Sequence, residues 1–148
     1  MKLLVCVDGS KESDKALSKT VELSSGCRID KVAVMLVFQK VDFPFVESAE
    51  TSDSEIMDSF NLMNEELMKQ HERFLEESAT KLRDQGIDPE VIMKEGRPAN
   101  TIAEVAEKEG YDLIIIGGRG RSGQKTSTLG SVSSAVIQAT NTSVLVVK

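Results

Sequence analysis

Short unbroken apolar runs alternate along the chain with longer stretches in which apolar residues recur every three or four positions. Residues 2–7 (KLLVCV) make the first run. Continuous apolarity of this kind predicts a strand covered on both faces. Asp8-Gly9-Ser10 ends it. A helix is predicted from Ser10 or Lys11 to about Leu23, with Ala16, Leu17, Thr20 and Val21 on one face and Ser24-Ser25-Gly26 as the stop. Residues 31–38 (KVAVMLVF) read as a second buried strand. Residues 54–85 are strongly helical, and Ile56, Phe60, Met63, Leu67, Phe74, Leu75 and Leu82 recur near helical spacing. Such a stripe is expected to pack on a sheet, with a methionine-rich interaction surface as the alternative. Gly86 closes that helix, and 90–94 form a short third strand. Gly96-Arg97-Pro98-Ala99-Asn100 opens a further helix that runs to Lys108 or Glu109 before Gly110. Residues 112–116 (DLIII) are a fourth strand, 117–130 are glycine-rich, 131–140 a last helix and 143–147 (SVLVV) a fifth strand.

Strand and helix therefore alternate, and the strands are buried. That pattern predicts a doubly wound parallel sheet in an α/β fold, with helices on both faces and residues 1–148 as one domain. Ligands of such sheets bind beyond the carboxyl ends of the strands, where the strand order reverses. The expected reversal lies between the first and fourth strands. Their glycine-marked ends, Asp8-Gly9 and Gly117-Gly118, would face one crevice. Between the second strand and the long helix, residues 41–53 contain Phe43, Pro44 and Phe45 and then Glu, Ser, Thr and Asp. They read as an acidic loop. Packing of Phe43 and Phe45 on a helix or a partner chain is the expectation, and a lid over a ligand the alternative.

Composition narrows the chemistry. A chain of 148 residues, 40% apolar and 28% charged, suits a cytoplasmic globular protein. No apolar run approaches the length that crosses a bilayer, and the first residues read as a strand, not a signal peptide. Cys6 and Cys27 are isolated, which suggests neither a disulfide framework nor a zinc site; Cys6 reads as a small core residue. His71 is the only histidine, and it sits in a charged helical stretch, against a Ser-His-Asp triad. The net charge of −6 argues against general affinity for nucleic acid. The charge is unevenly spread, however. After Asp112 there is no carboxylate, while Arg119, Arg121, Lys125 and Lys148 follow. Three of these lie among glycines, which suggests a local anion site.

Glycines let backbone N–H groups converge on a ligand, and the helix that follows offers unpaired N–H groups and the positive end of its dipole. Gly118-x-Gly120-x-x-Gly123 matches the dinucleotide fingerprint, but no acidic residue follows to hold a ribose. Gly118-x4-Gly123 begins like a P-loop, but Gln124 stands where the phosphate-binding lysine belongs. A third pattern is Gly117-x2-Gly120-x9-Gly130-Ser131.

This last pattern resembles the ATP-binding signature of the universal stress protein family. Val7-Asp8-Gly9-Ser10-x-x-Ser13-x-x-Ala16-Leu17 resembles the family's opening. Gly96-Arg97-Pro98-Ala99 with Ile102-Ala103-Glu104-Val105-Ala106, the run 111–117 and the closing Val144-Leu145-Val146-Val147 are similar too. The resemblance covers essentially the whole chain and is weakest over 39–88. It implies an adenine nucleotide alpha hydrolase-like sheet of order 3-2-1-4-5. It implies a site for ATP or AMP made by Val7, Asp8, Gly9, Ser10, Val37, Ile116, Gly117, Arg119, Gly120, Arg121, Gly130, Ser131, Val132 and Ser133. Adenine would lie near Asp8 and Val37, with Ile116 nearby; ribose and phosphates would run along Gly117, Gly120, Gly130 and Ser131. Asp8 would touch the adenine edge or help hold a magnesium ion, and a turn or helix-cap role is the other reading of that carboxylate. Some relatives carry histidine where Arg119 stands, and a proline is common at Ser143. The resemblance also implies a homodimer through 143–147, an apolar strand at a sheet edge with only Lys148 to blunt it.

Three functions remain open on these residues. The first is a nucleotide-responsive regulatory protein of stress physiology, with no membrane or nucleic-acid partner. The second is a slow ATPase or nucleotidyl-transfer enzyme, against which stands the lack of a base beyond Asp8. The third is a structural dimer that binds no nucleotide.

Overall fold

The computed structural model describes residues 1–41, 53–119 and 129–148. The expected loop with Phe43 and Phe45, and Gly120 and Arg121, lie outside the described residues. The elements are β1 (Lys2–Cys6), α1 (Lys11–Gly26), β2 (Lys31–Phe38), α2 (Asp53–Arg83), β3 (Glu90–Glu95), α3 (Pro98–Glu109), β4 (Leu113–Gly117), α4 (Ser131–Ala139) and β5 (Ser143–Val147).

All strand pairs are parallel, and their order is β3-β2-β1-β4-β5. The period of two along each strand feeds two separate cores. On one face, Leu3, Val5, Val32, Val34, Leu36 and Ile115 pack with Ala16 and Leu17 of α1 and with Leu75, Ala79 and Leu82 of α2. On the other, Leu4, Cys6, Ala33, Met35, Ile114 and Ile116 pack with Ile102, Val105 and Ala106 of α3 and with Val136 of α4. The chain steps outward from β1 to β2 and β3, then returns across β1 to β4 and β5. Right-handed crossovers on each arm put α1 and α2 on one face and α3 and α4 on the other. The reversal falls between β1 and β4, as the sequence predicts.

Two of the boundary shifts have local reasons, and the packing of α2 departs from its stripe. The predicted stop at Ser24-Ser25-Gly26 does not act: α1 runs through Gly26, because Ser25 Oγ donates to the Val21 carbonyl at 3.1 Å and Cys27 N–H to the Leu23 carbonyl at 2.9 Å. β1 ends at Cys6, although Val7 N–H still reaches the Met35 carbonyl at 2.9 Å. The apolar stripe of α2 packs on the sheet only in its second half. Its 31 residues reach about 46 Å. The eight residues of β2 extend only about 26 Å. The helix therefore overruns the sheet, and Ile56, Met57 and Met63 are 41%, 47% and 41% exposed. Among the described residues, no helix is long and apolar enough to cross a membrane.

The amino end of the sheet is closed by a polar network. The Lys2 amide donates to Asp112 Oδ2 at 2.6 Å and the Lys2 ammonium to the Glu109 carbonyl at 2.6 Å. Tyr111, 4% exposed, donates its hydroxyl to Glu90 at 3.2 Å, and Lys31 pairs with the same carboxylate at 2.5 Å. The ammonium groups of Lys2 and Lys31 each sit 5.6 Å from the centre of the Tyr111 ring, within cation–π range. Burial, then the charges of Glu90 and Glu109, push the Tyr111 phenol well above its ordinary pKa. The hydrogen bond to Lys31 holds the Glu90 carboxyl below its ordinary value.

Candidate functional site

At the carboxyl ends of β1, β2 and β4 the described residues enclose a cavity of about 270 Å³. Its floor is a row across three strands: Cys6 is in register with Met35 on one side and Ile116 on the other. Val37 extends the floor, and Pro98 and Ile102 at the start of α3 cover it. The remaining wall is polar. Asp8 and Ser13 stand at one side, and Arg119, Gly130, Ser131, Val132 and Ser133 form the opposite rim.

The rim is built by the way α4 begins. Gly130 is its N-cap residue, with extended backbone and no side chain to cap the helix. The amides of the first turn are thus left without the side-chain acceptor that a Ser, Asp or Asn cap supplies. Their dipole end faces the cavity, and Arg119 lines it on the same side. Ser133 is only 2% exposed, and its hydroxyl proton is shared between the carbonyls of Gly118 and Gly130, each at 3.1 Å. Ser133 therefore fixes the rim, and Ser131 is the hydroxyl at its surface. Gly118 is the anchor: its amide donates to the Val147 carbonyl and its carbonyl accepts from the Gly130 amide, both at 2.6 Å.

The turn after β1 sets the other side. The Ser10 amide donates to Asp8 Oδ1 at 2.9 Å, and Gly9 between them has φ +82°, a conformation favouring glycine. Ser10 is the N-cap of α1: its Oγ accepts from the Ser13 amide at 3.1 Å and donates to the Arg119 carbonyl at 3.4 Å. Asp8 thus holds the turn with one oxygen and lines the cavity as well, while the cap role belongs to Ser10. Gly9 and Ser10 are not among the lining residues. They position Asp8 and Arg119 from behind.

Gly117 is required by packing. A Cβ there would lie 2.8 Å from the backbone carbon of Glu12, inside the first turn of α1. The close approach of α1 to β4 needs this position bare.

Val7, Asp8, Val37, Ile116, Gly117, Arg119, Gly130, Ser131, Val132 and Ser133, all named from the sequence, line one cavity. Cys6, Ser13, Met35, Pro98 and Ile102 join them without having been assigned to the site from the sequence. Two of these were within reach of the period-two rule, because Cys6 shares a face with Asp8 and Met35 with Val37. Burial, then the charge of Asp8, pushes the Cys6 thiol up to about 12, so it lines the floor as a neutral group and not as a nucleophile. His71 lies on α2 with its ring 5.8 Å from that of Phe38 and does not line the cavity. Among the described residues no group of three or more His, Cys, Asp or Glu could hold a metal ion.

Known proteins share this architecture. The universal stress protein family model matches residues 1–148. Universal stress protein YxiE of Bacillus subtilis is 32% identical over 148 residues, covering 99% of this chain and 98% of its own. The solved structure of MJ0577, a universal stress protein of Methanocaldococcus jannaschii, gives a TM-score of 0.79 at 28% identity, covering 99% of this chain and 94% of that one. A universal stress protein family protein of Arabidopsis thaliana, solved with AMP bound, shares the fold with a TM-score of 0.63 at 19% identity, covering 100% of this chain and 91% of that one. The order 3-2-1-4-5 with helices on both sides is the adenine nucleotide alpha hydrolase-like fold.

Proposed function

The chain belongs to the universal stress protein family, and from that premise we propose that residues 1–148 form one adenine-nucleotide-binding regulatory unit of the stress response. The observation that carries the reading is the asymmetry of the cavity. An apolar floor and cover suited to a flat base end at a rim with an uncapped helix start and an arginine, suited to phosphate. The base lies over Cys6, Met35, Val37 and Ile116, with its edge near Asp8. The phosphates of ATP or AMP run along Gly117, Gly130 and Ser131, with Arg119 beside them. Gly120 and Arg121, named for the same task, remain assigned to it on the sequence pattern alone. The AMP of the Arabidopsis protein speaks for the capacity of the fold, not for the residues here.

Binding is favoured over turnover. Asp8 is the one carboxylate lining the cavity among the described residues, and one of its oxygens already accepts from Ser10. A single carboxylate suits magnesium only when the phosphates themselves supply further ligands, so Asp8 would share the ion with the nucleotide. The same reading gives β5 a partner. It is an edge strand paired on one side only, with Val144 to Val147 half-buried, and it fits self-pairing into a homodimer.

Isothermal titration of ATP and AMP, with and without magnesium, into nucleotide-free protein tests the reading. Saturable binding that is lost in Gly130→Asp is expected. An aspartate there caps α4 from within and sets a negative charge where phosphate would lie. Equal affinity in the variant would overturn the proposal.

A further inference from the structure

Residues 129–147 contain no Asp, Glu, Lys or Arg, in a chain that is 28% charged. Two surface features share this neutral stretch: the free edge of β5 and one flank of α4. Ser133 and Val136 are buried and mark the side of α4 that faces the sheet. At about 100° per residue, Val132 stands about 70° to one side of them and Ile137 about 70° to the other. Val132 lines the cavity, which lies at the ends of β1, β2 and β4, so Ile137 faces the opposite way, toward the outer edge at β5. Ile137 is 44% exposed and belongs to neither core.

Charge selects the occupant. A net charge of −6 sets two copies of the chain against each other, and the centre of a protein interface is depleted in charge. This face meets its own copy with no like charges opposed. Antiparallel pairing of two β5 edges puts the two-fold axis normal to the sheet, so both α4 helices come up on one side with their Ile137 flanks toward each other. The face is also tied to the cavity through one residue. The Gly118 amide donates to the Val147 carbonyl at the end of β5, and the Gly118 carbonyl accepts from the Gly130 amide and the Ser133 hydroxyl at the rim. A Cβ at Gly118 would meet Val146 and the Val147 carbonyl at 3.3 Å, so the contact is close as well as polar. We infer that the free edge of β5 and the Ile137 flank of α4 form one docking face for a second copy, and that Gly118 links its occupation to nucleotide at the rim. A strand paired on one side frays at its end, and a second copy holds that end in place. Nucleotide then finds the rim already ordered, and by reciprocity it tightens the dimer by the same factor. The face extends the self-pairing of β5 proposed above, and the link to nucleotide rests on the nucleotide reading.

The test is analytical sedimentation of the full chain with and without ATP, paired with titration of ATP into each variant. Ile137→Lys puts a charge into the face, yet a cation suits the last turn of a helix, so the fold is expected to hold with the circular dichroism of the wild type. It should weaken the dimer roughly tenfold or more, and Ile137→Ala should weaken it less. ATP should tighten the wild-type dimer about fivefold or more, and the Ile137→Lys monomer should bind ATP more weakly by the same factor. Gly130→Asp should remove the effect of ATP while leaving the nucleotide-free dimer intact. A wild type that stays monomeric, or a dimer that both Ile137 variants leave unchanged, overturns the face. Equal ATP affinity in monomer and dimer overturns the link. If no species binds ATP while Ile137→Lys still dissolves the dimer, the nucleotide reading fails and takes the link with it, and the face stands.

Discussion

At the amino end of the sheet, Lys2, Lys31, Glu90, Tyr111 and Asp112 exchange hydrogen bonds and charge contacts across three strands. At the carboxyl end the strands stop short of one another. Glycines stand at positions 117, 118 and 130, and a helix begins without a side-chain cap. Both ends of a parallel sheet face the same physical problem, since strand and helix termini leave polar groups without partners. One end satisfies them with its own side chains and is finished. The other leaves them directed into a cavity. Local stability and capacity for a ligand are thus separated along the strand axis, about five residues apart on β1 and β4.

That contrast can be broken most severely at Gly117. Valine there collides with the backbone of α1, so Gly117→Val is expected to cost on the order of 3 kcal/mol or more. Chemical denaturation reads this directly, and a variant as stable as wild type would mean that α1 and β4 do not approach as described. Next in size is Gly130→Asp, which should lower nucleotide affinity roughly hundredfold while leaving the melting temperature equal or higher. Together the pair separates a glycine that holds the fold from one that keeps the rim open. At the closed end, Tyr111→Phe should cost about 1 kcal/mol through the lost hydroxyl bonds, with no change in nucleotide affinity. An affinity change of tenfold would show that the two ends are not independent. The smallest effect belongs to the Lys31–Glu90 pair. The folded-state pKa of Glu90 lies below the ordinary 4.5, so its contribution is complete above that value and is lost as pH falls through the folded pKa. Glu90→Gln should therefore lower stability slightly across the neutral range, where the pair contributes in full, and converge on the wild type as pH falls below 4.5. Melting curves from pH 3 to 7 check this.

Much of the architecture was legible because the strands are uninterrupted apolar runs, and residues 31–38 and 143–147 emerged with the boundaries expected. What was not legible depended on lengths and faces that no local pattern encodes. The stripe from Ile56 to Leu67 has the period of a packed helix, yet the sheet beneath α2 is too short to receive it. Periodicity reports which face is apolar, not whether anything lies opposite. The cavity behaved similarly. Asp8, Val37 and Arg119 were found through the family pattern, whereas Met35 and Cys6 looked like ordinary core residues because they are both core and floor. Pro98 and Ile102 come from α3, whose place over the cavity follows only from the return crossover between β3 and β4. Gly9 and Ser10 were expected at the ligand. In the structure they form the turn and the helix cap that hold Asp8 and Arg119.

The crowding at Gly117 has a consequence for how such chains diverge over evolution. A descendant that gave up its ligand would be released from selection at Gly130, where aspartate even suits the start of the helix. It would remain under selection at Gly117, because the first turn of α1 leaves no room for a side chain. In lineages of this fold, loss of function should therefore be written first at the rim, while the glycine beneath it persists as a mark of ancestry.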